Sequence, residues 1–245
     1  MSSYGETNII IVGGISVNDE GNHDHNAYNF ISAATNKAKQ FPRGTVRLIV
    51  FAPSYEKRAL AQRFESTKVG TANFVKSYLG IERDPHFFVE QLEKRASAIG
   101  FQLTFVRSGA MLTAALQSCR RIETLCYFGH ANALGFLLDY SADGQGRATQ
   151  RWTAEDASAV SPIVFAKGAT FISYGCTQAA PDGMVQRLNR LWRIKASGAH
   201  SRTDYAPVQG NEWRPSTDKG WYTYAAPTPE QPTPPREYST QYPER

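Results

Sequence analysis

The run Asn8-Ile-Ile-Ile-Val12, followed by Gly13-Gly14, leaves this chain few architectures. After Asn8 every side chain is apolar and β-branched, so the segment has neither the alternation of a half-exposed strand nor the spacing of a surface helix. Such a strand is stable when both of its faces are covered. That is the situation of a central strand in a parallel sheet packed between helices.

The rest of the chain supplies neighbours and covers. Thr45-Val-Arg-Leu-Ile-Val-Phe51, stopped by Pro53, and Phe101-Gln-Leu-Thr-Phe-Val106 read as further strands. Asn and Asp caps from Asn22 onward precede Tyr28, Ile31 and Thr35 in a helix expected to run to about Gln40. Tyr55 to Phe64 can begin another helix. Val89, Leu92, Ala96 and Ile99 share a helical stripe that Gly100 ends. Ser108 can cap a helix carrying Met111, Ala115 and Leu116.

A strand ending at His130 comes next, then a short strand over Gly135 to Asp139, a polar loop over Ser141 to Gln150, and a helix from about Thr153 with acids in its first turn. A strand ending at Cys176 follows. Met184, Val185, Leu188, Leu191 and Trp192 then form an apolar helical stripe, and a strand over Ile194 to Gly198 closes the series. Strands alternating with helices predict an α/β fold, with a mostly parallel central sheet flanked by helices in three layers.

At 245 residues the chain fits one large α/β unit, and 41% hydrophobic residues are enough to fill its core. Six of the thirteen prolines fall in the last 21 residues, which cannot form a helix. The expected organisation is a catalytic body over residues 1–205 and a polar, proline-rich extension over 206–245. Three cysteines cannot all pair within one chain, so reduced thiols are expected. Cys119 and Cys126, in a helix and a strand, read as core residues.

The start has no basic flank ahead of a long apolar run, so neither a signal peptide nor a membrane span is expected. A cytoplasmic location in the producing cell follows, with any export using another route. The net charge of +5 favours acidic partners. Its densest source is Arg187, Arg190, Arg193, Lys195 and Arg202, with no carboxylate between Gln186 and Arg202. A solvated helix face explains that stripe more simply than a dedicated nucleic-acid surface.

Chemistry concentrates at two strand ends: Leu125-Cys-Tyr-Phe-Gly-His130 and Thr170-Phe-Ile-Ser-Tyr-Gly-Cys176. A strand fixes the residue at its carboxyl end, and α/β sheets gather ligand sites along that edge. Each residue alone has a plain structural explanation, as a buried thiol or a strand-end imidazole. Together they make a Cys/His dyad, 46 positions apart, close to the roughly 50 between the same residue types in caspases.

In spacing and in element order from Leu92 to Cys176, the chain resembles the caspase-like fold of clan CD cysteine peptidases, as a bacterial member. The resemblance implies adjacent parallel strands ending in His130 and Cys176. It also implies an oxyanion site made from the backbone N–H groups of Cys176 and Ala131. Two local positions depart from the pattern: the family usually has Gly after the base and an acidic residue or Ala before the nucleophile, whereas this chain has Ala131 and Gly175. The implied activity is cleavage of peptide or amide bonds without a cofactor, as in a bacterial effector toxin acting on proteins or peptidoglycan. A cognate inhibitor or immunity protein would be a matching partner.

His23, Asp24 and His25 lie just after the first strand; they lack zinc spacing, and Asp24 is the candidate for a substrate contact. His200, with Asp182 or Asp204, offers a second-ranked base in the order nucleophile, acid, His. The alternative from another functional class is a non-catalytic module of the same fold that engages an acidic partner through Arg187, Arg190, Arg193 and Lys195.

Overall fold

The computed structural model describes residues 5, 7–17, 29–57, 85–141, 147–205, 215–232 and 236–240. Its first strand, β1 (Asn8–Val12), is buried along its whole length. Ile9 and Ile11 enter the core on one face, while Ile10 and Val12 enter the core on the other. β1 pairs in parallel with β3 (Val46–Phe51) on one side and β5 (Ile122–Phe128) on the other. The chain first moves outward from β1 to β3 and on to β4 (Gln102–Val106). It then returns to β5 and continues to β9 (Phe165–Ser173) and β10 (Lys195–Ala199), all parallel. The order of connection therefore reverses between β1 and β5, the position at which open α/β sheets place their ligand sites.

Helices cover both faces. α1 (Asn29–Ala38) and α2 (Pro85–Ile99) bury Phe30, Ile31, Leu92 and Ala96 against the face carrying Ile10 and Val12. α3 (Gly109–Gln117), α4 (Ala154–Ser158) and α5 (Met184–Trp192) bury Leu112, Leu116, Ala157, Leu188 and Trp192 against the opposite face. The result is a mixed α/β fold with a large, mostly parallel central sheet flanked by helices.

A smaller sheet stands at the carboxyl edge. β2 (Gly14–Val17) pairs in parallel with β7 (Gly135–Ser141), which also pairs with the two-residue β6 (Ala131–Asn132) and with β8 (Arg147–Thr153). Beyond it, β11 (Thr203–Asp204) and β12 (Ser216–Thr217) form a two-residue ribbon. β13 (Trp221–Tyr224) and β14 (Arg236–Ser239) then add antiparallel strands to the β10 side of the main sheet. The stretch read from sequence as a proline-rich extension thus contributes two strands to the central sheet.

Two local expectations need correction. The stripe of α3 is phased by Leu112 and Leu116, while Met111 is 45% exposed; the Ser108 side chain caps the helix by accepting the Met111 N–H, which fixes Met111 in the first turn on the solvent side. The expected polar loop over 141–150 is a strand from Arg147, because pairing with β7 overrides its polar composition. The next helix starts at Ala154 behind a Thr153/Asp156 capping box. On α5, Arg187 donates to the Asp182 carbonyl at 2.7 Å and Arg190 lies 3.6 Å from its carboxylate, so the basic face leans on an acid just ahead of the helix. Among the described residues no helix is long and apolar enough to cross a membrane.

Trp192 anchors the second layer. Its ring meets Phe165 at 4.7 Å, Trp152 at 6.1 Å and Phe171 at 6.4 Å, and its indole N–H donates to the Ala157 carbonyl. Trp192→Ala is expected to cost about 3–5 kcal/mol through the cavity it leaves, read as a lower urea midpoint with an unchanged slope.

Candidate active site

The ladder between β5 and β9 sets the geometry. From Thr124↔Thr170 to Tyr127↔Ser173 the paired residues are offset by 46 positions, the same separation as His130 and Cys176. Both candidate residues therefore lie equally far past the last ladder pair, on neighbouring strands. The Tyr174 N–H donates to the Tyr127 carbonyl at 2.9 Å and carries the pairing beyond the regular strand.

Close approach of the two ends depends on missing side chains. A methyl group at Gly175 would lie 2.4 Å from Ala131 Cβ and 3.2 Å from the Gly129 carbonyl oxygen. Ala131 thus fills the space that Gly175 leaves. The two positions that depart from the caspase-like pattern meet in space, and one compensates for the other.

His130 is partly buried, its ring edge-on to Phe30 at 5.1 Å and tilted against Tyr140 at 4.5 Å. Its Nε2 is enclosed. The His130 carbonyl accepts from the Tyr127 hydroxyl at 2.6 Å and from the Leu137 N–H at 2.9 Å. Tyr127 is fully buried and also donates to the Leu137 carbonyl. Gly129 makes room for it, since a methyl there would lie 2.4 Å from the phenol oxygen.

Cys176 is partly exposed, and its sulfur faces Thr203: the Thr203 N–H donates to Sγ at 3.3 Å and Thr203 Oγ1 lies 3.4 Å away. Thr177, the next residue, has a φ of 53°. A β-branched side chain in that left-handed region is strained, and such strain gathers at functional turns. The turn is held by the Thr177 N–H donating to the Ser201 carbonyl at 2.7 Å. Burial first, then a coulombic contribution from the neighbouring Cys176 side chain, holds the phenols of Tyr127 and Tyr205 well above the ordinary tyrosine range. Both phenols therefore stay neutral and act as hydrogen-bond donors.

Two backbone donors stand at these strand ends. The bond from the Leu137 N–H to the His130 carbonyl makes that the hydrogen-bonded pair of the β6–β7 hairpin, so at the adjacent Ala131↔Phe136 pair the Ala131 N–H turns away from β7. The Cys176 N–H meets no acceptor among the described residues. Gln178 ties the cysteine turn to the hairpin, donating from its buried amide to the carbonyls of Asn132 and Gly135. The Met184 N–H reinforces the tie by donating to the Ala133 carbonyl at 2.7 Å.

The other sequence candidates fall elsewhere. His23, Asp24 and His25 lie outside the described residues. His200 directly follows β10, but its ring packs edge-on against Tyr222 of β13, the strand flanking β10 on the side opposite β9. Asp182 and Asp204 are exposed. Cys119 and Cys126 are buried. Among the described residues no three His, Cys, Asp or Glu side chains are grouped to hold a metal ion. Comparison of the chain with protein-family models, curated proteins and solved structures gives no match.

Sequence reading missed Tyr127, Gln178, Thr203 and Tyr205. Tyr127 had one available signal: an aromatic residue between apolar strand positions and immediately ahead of a Phe-Gly pair has to place its hydroxyl somewhere. Gln178 and Tyr205 sit outside helices and strands and Thr203 in the two-residue β11, where sequence gives no periodicity to read.

Gly175→Ala should destabilise the protein by about 1–3 kcal/mol through overpacking against Ala131, and the added Ala131→Gly change should recover most of the loss. The check is a double-mutant cycle by urea unfolding. Tyr127→Phe, which removes a donor from buried carbonyls, should cost about 1–3 kcal/mol in the same assay.

Proposed function

We propose that this chain is a cysteine hydrolase of caspase-like architecture that cleaves peptide or amide bonds, with Cys176 as nucleophile and His130 as acid and base. The observation that carries the reading is the shared 46-residue offset, which puts an imidazole and a thiol equally far beyond the last pair of two neighbouring parallel strands. The sheet reversal beside β5, the strained turn after the thiol, the Ala131 N–H turned away from β7 and the Cys176 N–H support it.

In this mechanism the Cys176 thiolate attacks the substrate carbonyl carbon, forming a C–S bond and pushing negative charge onto the oxygen. The N–H groups of Cys176 and Ala131 hold that charge. His130, protonated, gives its proton to the leaving nitrogen as the C–N bond breaks. Water then attacks the thioester, His130 accepts its proton, and the acid product leaves with the thiol restored. Proteins, peptides or peptidoglycan amides are the substrate classes, and an effector delivered against other cells, met there by an immunity protein, is the biological role that fits.

The experiment is turnover of a fluorogenic peptide library and of peptidoglycan fragments by the full chain and its variants. Cys176→Ala should abolish cleavage, and His130→Ala should lower kcat by about 10²–10⁴-fold while both variants keep the wild-type unfolding free energy, from urea titration, within about 1 kcal/mol. Cleavage that survives Cys176→Ala unchanged would overturn the assignment.

A further inference from the structure

Gln178 is fully buried although it lies outside helices and strands, two residues past the thiol. Burying an amide is costly unless its donors and its acceptor are met. Its Nε2 donates to the Asn132 and Gly135 carbonyls, and its Oε1 accepts the Ser173 hydroxyl at 3.4 Å. The Ser173 oxygen in turn accepts the Gly175 N–H at 3.3 Å. Ser173 is also fully buried, in the last ladder pair of β9, opposite Tyr127. A single run of hydrogen bonds therefore passes from the residue before the thiol to the hairpin that follows the imidazole.

The start of α5 braces both ends of that run. The Met184 N–H donates to the Ala133 carbonyl at 2.7 Å, and the Val185 N–H donates to the Gln178 carbonyl at 3.1 Å. What the run controls is the direction of two amides. An N–H points where its peptide plane points. The Cys176 N–H belongs to the plane shared with Gly175, and glycine is the residue least able to hold a plane through its own sterics. The bond from the Gly175 N–H to Ser173 supplies that restraint from inside the core. On the other side, the Ala131 N–H lies one residue before Asn132, whose carbonyl the Gln178 amide grips.

We propose that Gln178, acting through Ser173, is a positioning residue that sets the separation of the Cys176 and Ala131 N–H groups and so assembles the oxyanion site in the free protein. It works through Gly175 on one side and Asn132 on the other. The two donors are then in place when a substrate carbonyl arrives, which is what gives such a site its catalytic value. This rests on the reading of Cys176 and His130 as the catalytic pair, but the placement of the two amides is measurable without a substrate.

Two variants of the full chain test it. Gln178→Met keeps the length of the side chain and removes the amide; Ser173→Ala removes the relay hydroxyl while Gln178 keeps both carbonyls. On a fluorogenic peptide that the wild type cleaves, Gln178→Met should lower kcat about 10–10²-fold with KM within about twofold, as for a displaced oxyanion donor. Ser173→Ala should lower kcat about threefold to tenfold, as for losing one hydrogen bond. In ¹H–¹⁵N NMR spectra of the free protein, each variant should shift the amide resonances of both Ala131 and Cys176, which stand at opposite ends of the relay, and leave those of Leu48 to Val50 in β3 in place. Unchanged kcat and KM in a folded variant would overturn the proposal, because Gln178 would then only stabilise the fold. A loss confined to KM would overturn it too. Should Gln178→Met fail to fold, Ser173→Ala decides both measurements. If the wild type cleaves nothing, the hydrolase reading fails and the spectra alone decide the positioning: an Ala131 resonance unmoved by Ser173→Ala would overturn it.

Discussion

The contact between Gly175 and Ala131, where two parallel strands leave their ladder, governs the site. β5 and β9 run in register through four successive pairs, and the chain must then separate to form a hairpin on one side and a tight turn on the other. With a side chain at both positions the ends would be forced apart. Because one of them is glycine, the backbone stays close, and the imidazole and thiol that follow emerge from neighbouring strands. The burial of Tyr127 beneath Gly129 belongs to the same arrangement, since its phenol bridges the His130 and Leu137 carbonyls from inside the core.

Around this contact the polar groups form a connected frame. Gln178 and the Met184 N–H bind the cysteine turn to the β6–β7 hairpin, so the thiol and the imidazole are held relative to each other through the backbone as well as the sheet. The Ser201–Tyr205 segment closes the frame from the other side. A Thr177 backbone in the left-handed region persists because its neighbours are pinned by hydrogen bonds to strands that cannot move independently.

Much of the scaffold was legible in the sequence because burial leaves a periodic trace. The uninterrupted apolar run of β1 announced a strand covered on both faces, and the stripe of Met184, Val185, Leu188 and Trp192 announced the helix that covers one of them. His130 and Cys176 could be picked out because each ends such a run. Where pairing rather than composition decides, the reading failed: β8 is a strand only because β7 lies beside it. The buried face of α3 is phased by Leu112 rather than Met111, a difference of a single residue. Thr203 and Tyr205 left no trace at all, since their partners are 27 and 31 positions away along the chain and nothing local marks a residue that reaches back to a distant turn.

β14 is the outermost described strand on its side of the main sheet, four residues long and exposed throughout. It carries Arg236 and Glu237, and the Arg236 guanidinium lies 3.9 Å from the centre of the Tyr222 ring. Inboard of it, Trp221 and Tyr224 of β13 are almost fully covered. Apart from the exposed Tyr238, this outermost described strand works as a polar selvedge: its charges and brevity discourage another chain from zipping onto the sheet, and it covers the aromatic residues of β13.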